Sequence, residues 1–474
     1  MEFSKSLSDN LKRLKQVLQV DKNFDIVYRV FEVADKKAAL FFVDGFTKDE
    51  VLLKMMQSWW SIKKEDMPPD AHGFSKKYLP YGEVGLVKKE EDMLVQLLMG
   101  ITCLFVDGYD CCLTIDCRTY PARGVDEPEK DKVMRGSRDG FVETLIFNTA
   151  LIRRRIRDPK LTMEIMTAGG SSHTDIAICY MEGRQDGALL KNIKDRIQKL
   201  KVDALTMNQE SLAEGLYPYK WYNPFPKFKF SERPDTAAAC ILEGNIVILV
   251  DNSPAAMILP SSVFDIIEEA DDYYFPPITG TYLRLSRMAT ALLCLLLTPT
   301  WLLLMMNPGW IPGPLEFIQL ADPSYVPLIY QLLLLEFAID GLRLAAINTP
   351  NMLTTPLSVI AGIVLGEYSV KSGWFNSETM LYMAFVTISN YSQSSFELGY
   401  ALKFMRVMLL ILTAMFNVWG YAAGIVISVC AIVFNRTIAG KSYIYPLIPF
   451  QWGQLKKRFL RGRLPMAKKG QEGK

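Results

Sequence analysis

Along the first 287 residues, apolar and charged positions alternate on a short scale; beyond them, long charge-free runs take over. Residues 39–43 (ALFFV) form a short apolar run closed by Asp44-Gly45, which predicts a strand, and 48–60 carries helical spacing. A helix is predicted over 90–100, with strands over 101–106 and 111–116 on either side of the turn 107–110. A second unit begins at Arg135, with a long helix over 141–156 stopped by Asp158-Pro159. Strands over 161–167 and 174–181 flank Gly169-Gly170-Ser171-Ser172, and 187–200 is helical. Residues 237–242 and 246–251 read as a strand hairpin across Glu243-Gly244-Asn245, and 261–270 as a helix. The polar, proline-bearing stretch 121–132 is a linker. The pattern therefore predicts two α/β subdomains, 1–120 and 133–286.

Residues 288–306 make 19 positions without a charge and 407–434 make 28. At about 1.5 Å per residue either run crosses a hydrocarbon core of about 30 Å. Two weaker segments lie between them. Residues 325–347 are interrupted by Glu336, Asp340 and Arg343, and 380–402 has a polar centre at 390–395. The run 356–366 is too short to span and reads as a re-entrant piece. The expected architecture is an α/β cytosolic head of two subdomains followed by an all-α transmembrane helical domain, 287–440, and a basic cytoplasmic tail, 441–474. The first forty residues lack the apolar core of a signal peptide, which keeps the head in the cytosol. Arg284 and Arg287 precede the first run, basic residues crowd the tail, and 307–327 has no Lys or Arg. The positive-inside rule then puts both termini inside and calls for an even number of crossings, four on this reading.

Composition narrows the chemistry. Lys and Arg total 53 against 51 Asp and Glu, so no whole-chain field attracts nucleic acid. Two histidines and eight scattered cysteines without a C-x-x-C pair leave no expected metal centre and no expected cofactor. The cysteines read as reduced, buried thiols. No nucleophile elbow, phosphate-binding loop or dinucleotide fingerprint occurs, and His173 beside Ser171 and Ser172 reads as an exposed turn residue, so no enzyme is expected. The aromatic and lysine-bearing stretch 217–230 is expected to pack onto the head rather than to stack on bases.

Three groups carry candidate function. Arg135, Gly136, Arg138 and Asp139 precede the 141–156 helix, where Ser137 or Asp139 is placed to cap it, with Glu143 in its first turn. Arg153, Arg154 and Arg155 close that helix and suit either its dipole or a subunit interface. Glu336, Asp340 and Arg343 share one helical face inside an apolar segment. The expected pairing is Arg343 with Asp340, which leaves Glu336 as the free carboxylate of a pore. The rival reading is an internal salt bridge that only holds helices together.

Residues 135–159 (RGSRDGFVETLIFNTALIRRRIRDP) and 241–260 (ILEGNIVILVDNSPAAMILP) resemble motifs of the GerA family of spore germination proteins. The order Leu335-Glu336, Gly341-Leu342-Arg343, residues 358–366 and Ser395-Phe396-Glu397-Leu398 is similar to that family's membrane region. Ser137, where the receptors often carry proline, and the hairpin pattern at 162–165 point to a branch apart from the receptors proper. The resemblance implies a two-part head and a helical membrane domain in the inner membrane of a spore. It also implies a homo-oligomeric ring, possibly a pentamer, conducting cations during germination, with other germination membrane proteins as partners. The alternative is a non-conducting, membrane-anchored sensor or scaffold.

Overall fold

The computed structural model describes residues 2–119, 134–217, 222–321, 325–348, 359, 362–440 and 442–462. The expected linker 121–132, most of 349–361 and the tail beyond 462 lie outside the described residues. The chain divides into two compact units, Met1–Pro218 with Phe228–Pro260, and Tyr219–Lys227 with Ser261–Lys474.

The first unit contains two antiparallel five-stranded sheets. In the first, α1 (Leu7–Leu18) precedes β1 (Ile26–Val33) and β2 (Lys36–Val43). After these come α2 (Asp49–Trp60), α3 (Ala71–Tyr78), β3 (Val84–Val87), α4 (Glu90–Leu98), β4 (Thr102–Val106) and β5 (Cys112–Ile115). The spatial order is β1-β2-β4-β5-β3. Alternation along the inner strands explains why helices cover both faces. Ala38, Leu40, Leu104, Val106, Leu113 and Ile115 pack with Met55, Trp59 and Phe74 of α2 and α3. Their neighbours Ala39, Phe41, Cys103, Phe105 and Cys112 pack instead with Leu14, Leu18, Met93 and Leu97 of α1 and α4.

The second half repeats this plan. α5 (Leu145–Arg155), β6 (Leu161–Ala168), β7 (Thr174–Met181), α6 (Gly187–Lys199), α7 (Asn208–Leu216), β8 (Lys229–Ser231), α8 (Pro234–Glu243), β9 (Ile246–Val250) and β10 (Ala256–Leu259) follow in order. The sheet reads β6-β7-β9-β10-β8, the same permutation as the first. Two expected elements change here. Residues 237–242 belong to helix α8, because Pro234 sits in its first turn, three alanines follow, and Gly244 closes it at φ 101°. Strand β9 therefore pairs with β10 and β7, not with 237–242. The long helix expected from 141 begins at Leu145, whose N–H is capped across the fold by Asp251 Oδ1 at 3.1 Å rather than by Ser137 or Asp139.

The second unit is helical. A capping box between Ser262 and Asp265 starts α9 (Val263–Ile267), and α10 (Asp271–Tyr274) leads into α11 (Pro277–Met306). α12 (Leu328–Asn348), α13 (Ser377–Tyr391), α14 (Phe396–Val433) and α15 (Trp452–Phe459) follow. Part of the 217–230 stretch belongs to this unit, contrary to the expectation that it packs on the head. Phe225 is buried with Ala291, Leu398 and Tyr443, and Asn223 donates to the Ala431 carbonyl at 2.9 Å.

Side-chain pairs fix the helix directions. Taking the Arg284 end of α11 as the base and Met306 as the top, Leu332 packs near Trp301 while Arg343 lies beside Phe396 and Tyr400, so α12 descends. Asn376 meets Gln331 near the top, and Gln393 meets Thr290 near the base at 3.4 Å, so α13 descends too. Asn348 is thus at the base and Phe375 at the top.

The 28-residue run expected as one span is not one straight helix. Asn417 interrupts α14 at φ 51°, ψ −127°, and the helix folds back on itself there. A Cβ on Gly424 would lie 3.3 Å from Leu409 Cα, and one on Gly420 would run into the Leu412 carbonyl. In a straight helix residues 409 and 424 stand about 22 Å apart. This positive φ lies outside the regions a side chain favours, and the Asn417 side chain is held by Asn307 at 2.7 Å. Gly420, Gly424 and Ser428, spaced by four, let the two halves approach closely. Gly424→Val is expected to destabilise the helical unit by about 1–3 kcal/mol through overpacking. Gly309→Ala, with open space around its Cβ, should change nothing. Thermal unfolding of the two variants in detergent checks this; equal midpoints would contradict the folded-back packing.

Candidate functional site

Four ionisable side chains on two helices of the apolar bundle meet in one cluster. Glu336 of α12 accepts a fork from Arg406 of α14, Nε to Oε1 at 2.6 Å and Nη2 to Oε2 at 2.9 Å. Arg406 Nη1 donates to the Cys294 carbonyl of α11 at 2.7 Å and lies 3.1 Å from its Sγ. Lys403 Nζ donates to the Glu336 carbonyl at 3.0 Å, stands 3.4 Å from Glu336 Oε2 and ion-pairs with Asp340. The side chains of Glu336 and Arg406 are 6% and 2% exposed, whereas that of Asp340 is 35% exposed. Two acids and two bases sum to zero. That is the condition under which charges persist in an apolar interior, where an isolated one costs several kcal/mol.

The spacing explains the fit. Glu336 and Asp340 are four residues apart on α12, Lys403 and Arg406 three apart on α14, so each pair occupies one face. Sequence reading found the acids and missed the bases, because one apolar segment was ended at Leu402 and the next begun at Val407. Two acids on one apolar helix demand two cations nearby, and that demand was the available signal.

Arg343 departs from expectation. Its guanidinium does not pair with Asp340 but lies over the rings of Tyr391, Phe396 and Tyr400, at 5.4, 4.8 and 4.7 Å. Lys403 takes Asp340 instead, and Glu336 is the most fully paired carboxylate of the group rather than a free one.

In the head, the arginine run splits by direction. Arg153 is fully buried and forks onto Asp25, Nε to Oδ2 at 2.7 Å and Nη2 to Oδ1 at 3.0 Å. Its Nη1 also donates to the Leu161 carbonyl at 3.1 Å. Arg155 donates to both oxygens of Asp139 at 2.6 Å and to Ser137 Oγ at 3.1 Å. Burial opposes ionisation of Asp139, but the Arg155 and Ser137 hydrogen bonds outweigh it and hold the carboxyl below its usual range. Of the three arginines only Arg154 is exposed, while Arg153 and Arg155 turn into the head. Arg135, Arg138 and Glu143 are exposed, Gly136 takes φ 125°, and the Glu143 carbonyl accepts Asn252 N–H at 2.8 Å. His173 is an exposed turn residue between β6 and β7. The eight cysteines are free, six of them buried.

A doubled α/β head and an apolar helical bundle with a paired ionic cluster define the class: a head-and-bundle protein. The chain belongs to the GerA family, matching the family model described as Bacillus/Clostridium GerA spore germination protein over residues 12–472. It is 34% identical over 461 residues to Stage V sporulation protein AF of Bacillus subtilis (strain 168), covering 97% of this chain and 93% of that protein. It is 27% identical over 474 residues to Spore germination protein B1 of the same organism, covering 97% and 95%. Among solved structures, the N-terminal domain of the A subunit of the Bacillus megaterium spore germinant receptor GerK3 aligns with a TM-score of 0.43 at 26% identity, covering 55% of this chain and 96% of that one. Several of the chain's relatives carry the name of spore germination proteins.

Proposed function

We propose that the chain is an integral membrane subunit of a spore germination complex, assembled as a homo-oligomeric ring that conducts cations. The carrying observation is the quartet of Glu336, Asp340, Lys403 and Arg406 inside an apolar bundle, with Asp340 part-exposed at its edge. Helices that only anchor a protein have no use for four ionisable groups. Asp340, repeated once per subunit about an axis, forms a carboxylate ring that concentrates cations. Lys403 neutralises it in the arrangement seen.

On this reading the helix directions become membrane crossings. α11 and the first half of α14 run outward; α12, α13 and the second half of α14 run inward. The start of α11 and the end of α14 then lie on the side of Arg284 and Arg287, the spore core. Other germination membrane proteins are the partners, and no catalytic step is involved.

Liposomes preloaded with a monovalent cation and carrying the reconstituted protein test this. Efflux should exceed that of protein-free liposomes, and Asp340→Asn should lower it severalfold at equal protein density. Unaltered efflux in Asp340→Asn would remove the carboxylate ring. A wild-type protein that inserts and assembles without any efflux would favour the scaffold.

A further inference from the structure

Helix α15 is clasped to the base of α11. Its Lys457 and Arg458 carbonyls accept Arg284 Nη1 at 2.9 and 3.3 Å. Arg458 pairs with Asp265 at 2.5 Å and Glu268 at 3.0 Å, Leu455 is buried, and Phe459 lies edge-on to Phe264 at 6.1 Å. Arg461 N–H donates to Thr281 Oγ1 at 3.1 Å. Leu455, Arg458 and Phe459 form one inward face at helical spacing.

What this clasp presents outward is amphipathic. Phe450 and Trp452 are 65% and 66% exposed, with Leu447 and Ile448 exposed beside them. Lys456 and Lys457 are exposed, and neither ammonium has a partner among the described residues. The level is fixed by the Arg284 and Thr281 contacts, four to seven residues before Met288, where the charge-free run begins. That is about 6–10 Å along the helix axis, the depth of a headgroup layer beneath a hydrocarbon core. Exposed Tyr282 and Leu285 of α11 continue the apolar surface at the same level.

The geometry points to an anionic phospholipid as the occupant of this surface. The aromatic and aliphatic side chains enter the acyl boundary, and Lys456 and Lys457 take the lipid phosphate. Aromatic rings and lysine ammoniums partition to that interface, and the anionic surface attracts each lysine. The two lysines together give roughly tenfold to thirtyfold preference for an anionic over a zwitterionic headgroup. A soluble partner protein would leave the coincidence with the base of the apolar run unexplained.

This inference rests on the membrane reading above, and the test separates the two. The full chain in detergent is incubated with equal phosphatidylglycerol and phosphatidylcholine, and retained lipid is counted by native mass spectrometry. Phosphatidylglycerol should be retained about tenfold over phosphatidylcholine. K456Q/K457Q, which keeps the tail's other basic residues, should bring the ratio near one, and F450S/W452S should reduce retention of both lipids. Equal retention by the wild type, a preference that persists in K456Q/K457Q, or displacement by millimolar inorganic phosphate would each overturn the lipid site while leaving the membrane reading intact. Failure of the wild type to enter liposomes at all would overturn both.

Discussion

Arg153→Leu is expected to unfold much of the head, although it removes one member of what looks in sequence like a solvated arginine run. The change strands Asp25, 3% exposed, without its counter-ion. Breaking a buried pair from one side costs about 3–5 kcal/mol, and the Leu161 carbonyl loses a donor for about another 1–3 kcal/mol. That is a large part of the 5–15 kcal/mol that typically holds a domain together. The damage reaches both subdomains, because Asp25 opens β1 of the first sheet while Arg153 closes α5 against the second. Asn23 reinforces the same junction by accepting Met163 N–H at 2.7 Å. Arg154→Ala, on the exposed side, should stay within about 0.5 kcal/mol. Asp25→Leu combined with Arg153→Met should recover most of the loss, since no charge is then buried alone. Circular-dichroism melts of the four proteins decide it. An Arg153→Leu melt that matches Arg154→Ala would show that the fork contributes nothing.

The same region shows what sequence carried and where it stopped. Strands 161–167 and 174–181 and the helices at 48–60, 90–100 and 187–200 were legible because each keeps its own period and ends at a turn residue. α1 and β1 went unread, and their charged outer positions, such as Arg29 and Glu32, dilute the apolar signal. Residues 237–242 misled because alanine, cysteine, isoleucine and leucine in a short run suit either period; the proline before them and Gly244 after them were the arbiters. The direction of Arg153 cannot be read from 152–155, since a triple arginine covers most of a helical turn and its buried member is chosen by an aspartate 128 residues away. The reversal at Asn417 was hidden for a related reason. Hydropathy sees a continuous apolar run, and only one asparagine and a glycine spacing of four mark the turn.

Loss of Arg406 should be the most damaging change in the helical unit. Arg406→Met leaves Glu336 buried with Lys403 as its remaining cation, while Lys403 is also engaged by Asp340. One base then serves two acids, and the expected cost is again about 3–5 kcal/mol. The visible result would be protein that inserts poorly or aggregates in detergent. Glu336→Gln alone strands Arg406, keeping its hydrogen bonds to the Cys294 carbonyl but not its counter-charge. Glu336→Gln with Arg406→Met removes one charge of each sign and leaves Asp340 and Lys403 as a neutral pair. Assembly should therefore return in the double variant, and a double-mutant cycle in melting temperature should show a coupling well above the sum of independent sites. Ion flux then separates the two roles open to the quartet. If the fork only packs helices, the double variant conducts like the wild type. If the fork restrains α14 against α12, its loss frees Asp340 to change partners, and the double variant passes cations faster than the wild type. A coupling near zero in the melts would mean that Glu336 and Arg406 act independently, and neither role would hold.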